Sequence, residues 1–539
     1  MKFLTFLIFV WLACRAIAQL PDASRYPITN SLPWSAGVSG GIPSYPTAVS
    51  VADYGAVADG VTDDYGAVTN AIAHCTNGGA VFFPAGIYFV GSQVLVPSRK
   101  VLRGSGRTQT TVKIGIASAV RAIYMTGGST SGSNTLASGF TRGSTQIVAN
   151  ATTGLAVGQQ VEVGQRGDTN ILVGNIPASY PYQAQANQIT AISGSTITLL
   201  RPLYWDLQST NTPFIKTWSS YLTNAGVENM KLLVTSSADA AVATFRAMDC
   251  WVIGCEITNY SGQTGVVFDE SYRCESHSNI CHSYMTSGSR YGIQVSDYAT
   301  DCLIEDNITG LTSSGIVVQN GSVGNVVAYN FYYDSWNNSN LAFSFHGHGG
   351  CPAYNLFEGN VGNGIMGVDN TWGANPYFTF LRNWATAYST NASTSRSGMR
   401  FDGTNYYDNA IGNILCKPSD FGVLTGNPFP MNFAGNGAAD ANTIATAFIH
   451  GQYEFRTNST TWAIADHSIP ASYYLSGRPS WWSADLPWPS IGPDIALTTS
   501  SGITNYALIP AQERYTGLRG NYGQMNTTDL RVGTIRTAQ

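Results

Sequence analysis

"LIEDNI", residues Leu303–Ile308, is an apolar pair, two variable residues, an asparagine and another apolar residue. The same pattern follows as "VVAYNF" (326–331) and "LFEGNV" (356–361). Working outward, it recurs in "VENM" at Asn229, "VIGCEI" with Glu256 in the asparagine's place, "SNI" at Asn279, "FLRNW" at Asn383 and "IGNI" at Asn413. Successive spacings are 27, 23, 28, 23, 30, 23 and 30 residues. A unit this short cannot bury its own apolar face, so each must stack on the next and the chain must form a solenoid.

The units contain short β-type runs ("GVVFD", "YGIQVSD", "GIVVQN", "GIMGVD") broken by Gly, Asn and Ser turns, which predicts parallel β coils rather than helical repeats. An asparagine at one place in every coil can bond its amide to the coils above and below, so the repeated asparagines are read as structural. The predicted fold is therefore all-β, a solenoid over residues 51–430. The stretch from about 134 to 210, with "STQIVANATTGLAVGQQVEV" and "QITAISGSTITLLRPLYW", breaks the period and predicts a small antiparallel β insertion. Residues 19–50 form a Pro, Ser and Gly-rich lead-in. Residues 431–539, with "SWWSADLPWPSIGP", are expected to pack on the solenoid as an aromatic tail.

Residues 1–18, "MKFLTFLIFVWLACRAIA", combine a basic start, a short apolar run and an Ala-Ile-Ala ending, the pattern of a signal peptide cleaved before Gln19. The apolar run is too short to span a bilayer, so export to the extracellular space without a membrane anchor is expected. Without Lys2 and Arg15 the chain keeps 27 − 2 = 25 basic residues against 32 acidic ones, a net charge of −7. That balance argues against nucleic acid as a partner. The eight cysteines left after Cys14 are an even number, which in an exported chain predicts disulfide staples.

"VADYGAVADGVTDDYGAV" (51–68) gathers four aspartates, yet reads as structure rather than as an active site. Thr62 can cap a helix with Asp63 and Asp64 in its first turn and Val68, Ala71 and Ile72 on one apolar face. A solenoid needs such a helix to close its first coil. With "GGAVFFPAGIYFVGSQVLVPSRKVLRGSG" (78–106), this segment resembles the N-terminal signature of the pectate-lyase-like superfamily, in the branch with rhamnogalacturonases, epimerase-like proteins and phage tailspikes. The resemblance implies a right-handed parallel β-helix with a short N-terminal capping helix. It does not fix the chemistry, because the segment closes the helix in lyases, hydrolases and tailspikes alike.

With the asparagines as a ruler, Asp269, Asp297 and Asn320 each fall ten residues before the asparagine of their coil. The next coils place His346 and His348 of "FHGHGG", then Asp369 and Asn370, then Arg400 and Asp402 of "MRFDG", near the same strand end. Together they predict a polar column along the solenoid. The resemblance implies a polysaccharide as the partner. Polygalacturonase-type hydrolases place an acid pair where this chain has Gln319 and Asn320, so β-elimination on a uronate-containing glycan is the leading reading. Glycoside hydrolysis and non-catalytic glycan binding are the alternatives.

Under the leading reading His346 or His348 is the base, Asn320 and Arg400 polarise the sugar carboxylate, and Asp369 and Asp402 complete the catalytic set. Asp269 and Asp297 would hold a Ca²⁺ through oxygen ligands. Asn370, Trp336 and Trp372 are candidate sugar contacts. "HGH" together with Asp369 also raises a transition-metal site.

Overall fold

The computed structural model describes residues 34–116, 120–168, 182–235, 238–258, 264–282, 291–334, 342–387, 397–416, 431–433, 439–499 and 502–517. The signal-like segment and Trp336 lie outside them. Three long sheets run the length of the molecule, with 12, 13 and 10 strands, and every pairing along them is parallel except the last of the 13-stranded sheet. One coil runs from the 10-stranded sheet (Thr264–Asp269) to the 12-stranded sheet (Glu275–His277), then to the 13-stranded sheet (Ile280–His282) and back at Tyr291–Ser296. This is a parallel β-helix. Strands of two to six residues suffice because each is buried between its neighbours above and below.

The core is a single apolar column inside the coils. Alternate residues of each strand point inward, as Val266 and Phe268, Ile293 and Val295, Ile316 and Val318 do. The asparagine ladder lies at the turn between the 12- and 13-stranded sheets. In it the Asn330 side-chain oxygen accepts from the Asn307 backbone N–H at 2.8 Å, and its amide donates to the Ile304 carbonyl at 2.8 Å. Equivalent bonds link Asn279, Asn307, Asn330, Asn360, Asn383 and Asn413, and Gln452 takes the next place.

The pattern slips at the early coils. Lys231 pairs with Glu256 and Glu256 with Ile280, so Met230 and Cys255, not Asn229 and Glu256, hold the ladder position. Cys255 still fits, because its backbone N–H donates to the Asn279 side chain at 2.9 Å. A second ladder that the sequence did not suggest runs through Asn325 and Asn355 at the preceding turn.

The capping helix, Tyr65–His74, buries Val68, Ala71 and Ile72 as expected. It begins later than the proposed Thr62 cap, because Thr62 belongs to the strand Asp59–Asp63 and its hydroxyl donates to Asp59. Asp64 instead accepts from the backbone N–H groups of Val57 and Ala58 at 2.7 and 3.3 Å, which folds the "VADG" loop around it. These aspartates are scaffold.

The insertion is a closed six-stranded antiparallel barrel built from strands between Thr130 and Trp218. It docks beside the turn that leaves the 10-stranded sheet, where Trp218 and Ala186 pack on Met248 and Tyr272, and Arg201 pairs with Asp301 at 3.0 Å.

Two further expectations are corrected. The solenoid does not end at residue 430. Met431–Asn432, Phe448–His450 and Gln452–Glu454 add strands to all three sheets, and the repeat looked faded because Gln452 replaces the asparagine. The cysteines form no disulfide: Cys75, Cys250, Cys255, Cys274, Cys281, Cys302, Cys351 and Cys416 are all free and buried. They serve as small core side chains. Cys250, Cys274 and Cys302 occupy equivalent places in three successive coils, each with its S–H near a backbone carbonyl. The later tail packs Ile469, Trp482, Ile491 and Tyr515 on residues such as Phe331, Leu381 and Trp384 of the 12- and 13-stranded sheets.

Candidate functional site

The outward face of the 10-stranded sheet carries the polar column. Register pairs Asp269 with Ser296, Gln319 with His348, and Gly347 with Val368, so one row reads Asp269, Ser296, Gln319, His348, Asp369, Asp402. Five steps of about 4.8 Å make it roughly 24 Å long.

Asp297 and Asn320 lie one residue beyond this row, beside Glu270 and Gly349. All four adopt left-handed backbone with φ between 42° and 78°. Asn and Asp tolerate that conformation, which explains part of their placement. The fixed ten-residue offset had put Asp269 and Asp297 in register. The turn after Ser296 holds one residue more than the turn after Asp269, so the two aspartates are displaced by one.

They nevertheless meet. Asp269 is ion-paired with Arg121, which reaches over from two strands away, and it accepts from the Ser296 hydroxyl at 3.2 Å. Asp297 is half-buried, within hydrogen-bonding reach of Asp269 and of the Asn320 side chain. Burial and the neighbouring Asp269 carboxylate push its carboxyl up to about 8. Glu270, ion-paired with Arg246 at 2.6 Å, and the barrel's Glu162, ion-paired with Lys216 at 3.3 Å, add acidic groups where barrel and solenoid join. Burial raises both carboxyls.

This arrangement does not suit the proposed Ca²⁺. The cation would have to displace the Arg121 guanidinium from Asp269 and the proton from Asp297.

Further along, His346, His348 and Asp369 converge. The histidines alternate along the strand Phe343–His348 and so share its outer face. His348 Nδ1 is 2.8 Å from Asp369 Oδ2, and His346 Nε2 is 3.4 Å from the same oxygen. Desolvation lowers His346 to about 4, against the raising influence of Asp369, and the two histidines hold Asp369 below the usual carboxylate range.

In the next coil Arg400 donates to both oxygens of Asp402 at 2.5 and 2.6 Å and lies over the Phe343 ring. Asn370 donates to the Gly403 carbonyl at 2.8 Å. Trp372 is 51% exposed beside it. The structure thus brings His346, His348, Asp369, Arg400 and Asp402 into one cluster, and Asp269, Asp297 and Asn320 into another on the same stripe. Arg121, Glu162, Arg246 and Glu270 were missed. Their contacts cross 24 to 148 residues of sequence, and no local motif signals them.

A parallel β-helix with a stripe of carboxyls and imidazoles across several coils makes the outer face of the 10-stranded sheet the candidate site. Residues 48–212 match the family described as rhamnogalacturonase A/epimerase, pectate lyase-like. Over 81 residues, 14% of this chain, the sequence is 41% identical to the tail spike protein of Shigella phage Sf6. Over 84 residues, 15% of this chain, it is 39% identical to the plasmin and fibronectin-binding protein A of Streptococcus pneumoniae. These matches span 13% and 12% of the two relatives' lengths.

Among solved structures, the tailspike of Pseudomonas phage phi297 superposes with a TM-score of 0.56 at 15% identity, over 71% of this chain and 67% of that one. The likeness shows the fold, a parallel β-helix, and residues 48–212 carry the match to the pectate-lyase-like family.

Proposed function

We propose that this protein is an exported enzyme that hydrolyses glycosidic bonds in a polysaccharide lying along the outer face of the 10-stranded sheet. The feature that carries the proposal is Asp297, a half-buried carboxyl within hydrogen-bonding reach of Asp269, which burial and that neighbouring carboxylate raise to about 8. Glycoside hydrolysis needs an acid able to protonate the leaving oxygen near neutral pH, and a raised carboxyl supplies it. The sequence had suggested that this acid was missing from the coil of Gln319 and Asn320. Asp297 offers it from the coil before.

Asp369 lies three coil steps from Asp297, about 14 Å, and His348, which it holds, lies two steps away, about 9–10 Å. That is close to the separation at which inverting hydrolases seat the attacking water. Elimination is less well supported, because Arg400, expected to neutralise a sugar carboxylate, is already neutralised by Asp402. The tailspikes among the relatives make a polysaccharide the natural substrate class. The length of the stripe suits a linear chain, and Trp372 offers an exposed ring for a sugar face.

The test is digestion of a panel of acidic and neutral polysaccharides, followed both by reducing ends and by ultraviolet absorbance. New reducing ends without unsaturated products support hydrolysis. A rise in absorbance would establish elimination instead, and binding without products would leave a glycan-binding protein.

A further inference from the structure

We propose that His346, His348 and Asp369 bind a divalent d-block ion of the Zn²⁺ class. Their ligand atoms lie within 4.8 Å of one another. The two nitrogens stand 3.4 and 2.8 Å from Asp369 Oδ2. Ligands about 2.0–2.1 Å from a shared ion lie about 2.9 Å apart at a right angle and about 3.4 Å apart at a tetrahedral one. The two nitrogen–oxygen separations lie close to that range, and the nitrogens are within 4.8 Å of each other.

A second observation concerns burial and alignment. His346 is 6% exposed, and its Nε2, 3.4 Å from Asp369 Oδ2, makes no well-aligned hydrogen bond among the described residues. A buried imidazole nitrogen without a well-aligned partner is costly. Its ring is held in place by Phe343, stacked at 3.8 Å and 5°, and its other nitrogen lies 3.4 Å from the Ser314 hydroxyl. Asp369 is steadied by the Thr371 hydroxyl at 2.8 Å. Such outer contacts fix ligands at metal sites.

Two imidazoles and one carboxylate suit Zn²⁺, Co²⁺, Mn²⁺ or Ni²⁺ rather than Ca²⁺, which takes oxygen donors. Three protein ligands leave a position open toward the stripe for water or for a sugar carboxylate or hydroxyl. His348 is half-buried and provides the path of entry. The site goes beyond the hydrolytic reading and does not depend on it.

The test is calorimetric titration of chelator-treated full-length protein with Zn²⁺, Co²⁺, Mn²⁺ and Ca²⁺, with thermal melts and the visible spectrum of the Co²⁺ form. One Zn²⁺ or Co²⁺ per chain, a raised melting temperature and visible Co²⁺ bands are expected. His348→Gln, the least buried ligand, should weaken binding by at least about 100-fold, and Asp369→Asn by a similar factor. Asp297→Asn should bind the ion as the parent does while losing cleavage, so the two readings fail separately. No stoichiometric uptake, uptake of Ca²⁺ alone, or undiminished uptake by a correctly folded His348→Gln protein overturns the proposal.

Discussion

Asp269 and Asp297 meet across adjacent coils, and the Arg121 guanidinium pairs with Asp269. If Asp297 is the acid, Asp297→Asn removes the proton donor while keeping the shape and the hydrogen bonds of a neutral carboxyl. The expected result is a fall in kcat of about 10²–10⁴ with little change in KM, read from reducing-end release. Asp269→Asn should also slow the reaction, because the charge that holds the proton on Asp297 is gone.

The same pair makes stability depend on pH. Asp297 is raised from the usual carboxylate range to about 8, so between about pH 4 and 8 the folded protein holds a proton that the unfolded chain has released. The stability contribution is therefore intact below that window and is lost as pH rises through it. Half-buried Glu275 and buried Glu358, both raised by desolvation to about 7, add to the same slope. Melting temperature against pH should thus fall less steeply in Asp297→Asn than in the parent, and the difference between the curves isolates Asp297. Activity should decline above about pH 8, where the acid is lost.

The asparagine ladder gives a stability prediction. In Asn330→Ala, the Asn307 backbone N–H and the Ile304 carbonyl lose their partners in a fully buried turn. Each stranded group costs about 1–3 kcal/mol, so a loss of about 2–6 kcal/mol is expected in urea unfolding. Asn330→Asp should be at least as harmful, since a carboxylate cannot donate to Ile304.

That ladder is also why the fold could be read from sequence. One buried amide per coil leaves a visible period, and the capping segment resembles a known signature. The site was only half legible, for a geometric reason. The turn after the 10-stranded sheet gains or loses a residue from coil to coil, so a ruler set by the asparagines slips, as it did for Asp297 against Asp269. Charge states were hidden as well. Arg121 and the barrel's Glu162 come from distant sequence, and they help set the charge balance around Asp269 and Glu270. The cysteines misled because parity and compartment suggest pairing, whereas packing decides it.

Those cysteines make a direct test. With all eight buried and free, a thiol reagent should find almost none in the native protein and all eight after denaturation. Adding reductant should leave the melting temperature unchanged. Reactive-thiol counts below eight in the denatured, unreduced protein would show that disulfides form after all.

Arg382 ties the tail to the solenoid. It is buried, with left-handed backbone beside ladder residue Asn383, and its guanidinium donates to the carbonyls of Ile469, Pro470 and Ile491 and to both oxygens of Asp494 at 2.6–2.9 Å. Arg→Met keeps the stem but leaves three carbonyls and a carboxylate unpaired, whereas Asp494→Asn removes only the charge at the better-exposed end. Arg382→Met should release the 469–494 segment, giving early proteolytic cleavage there and faster amide exchange at Ile491. Asp494→Asn should give a smaller effect of the same kind. Neither should alter glycan cleavage, because the tail's contacts are with the 12- and 13-stranded sheets while the carboxyl stripe faces outward from the third. Loss of cleavage in a stably folded Arg382→Met protein would mean that the tail reaches the site.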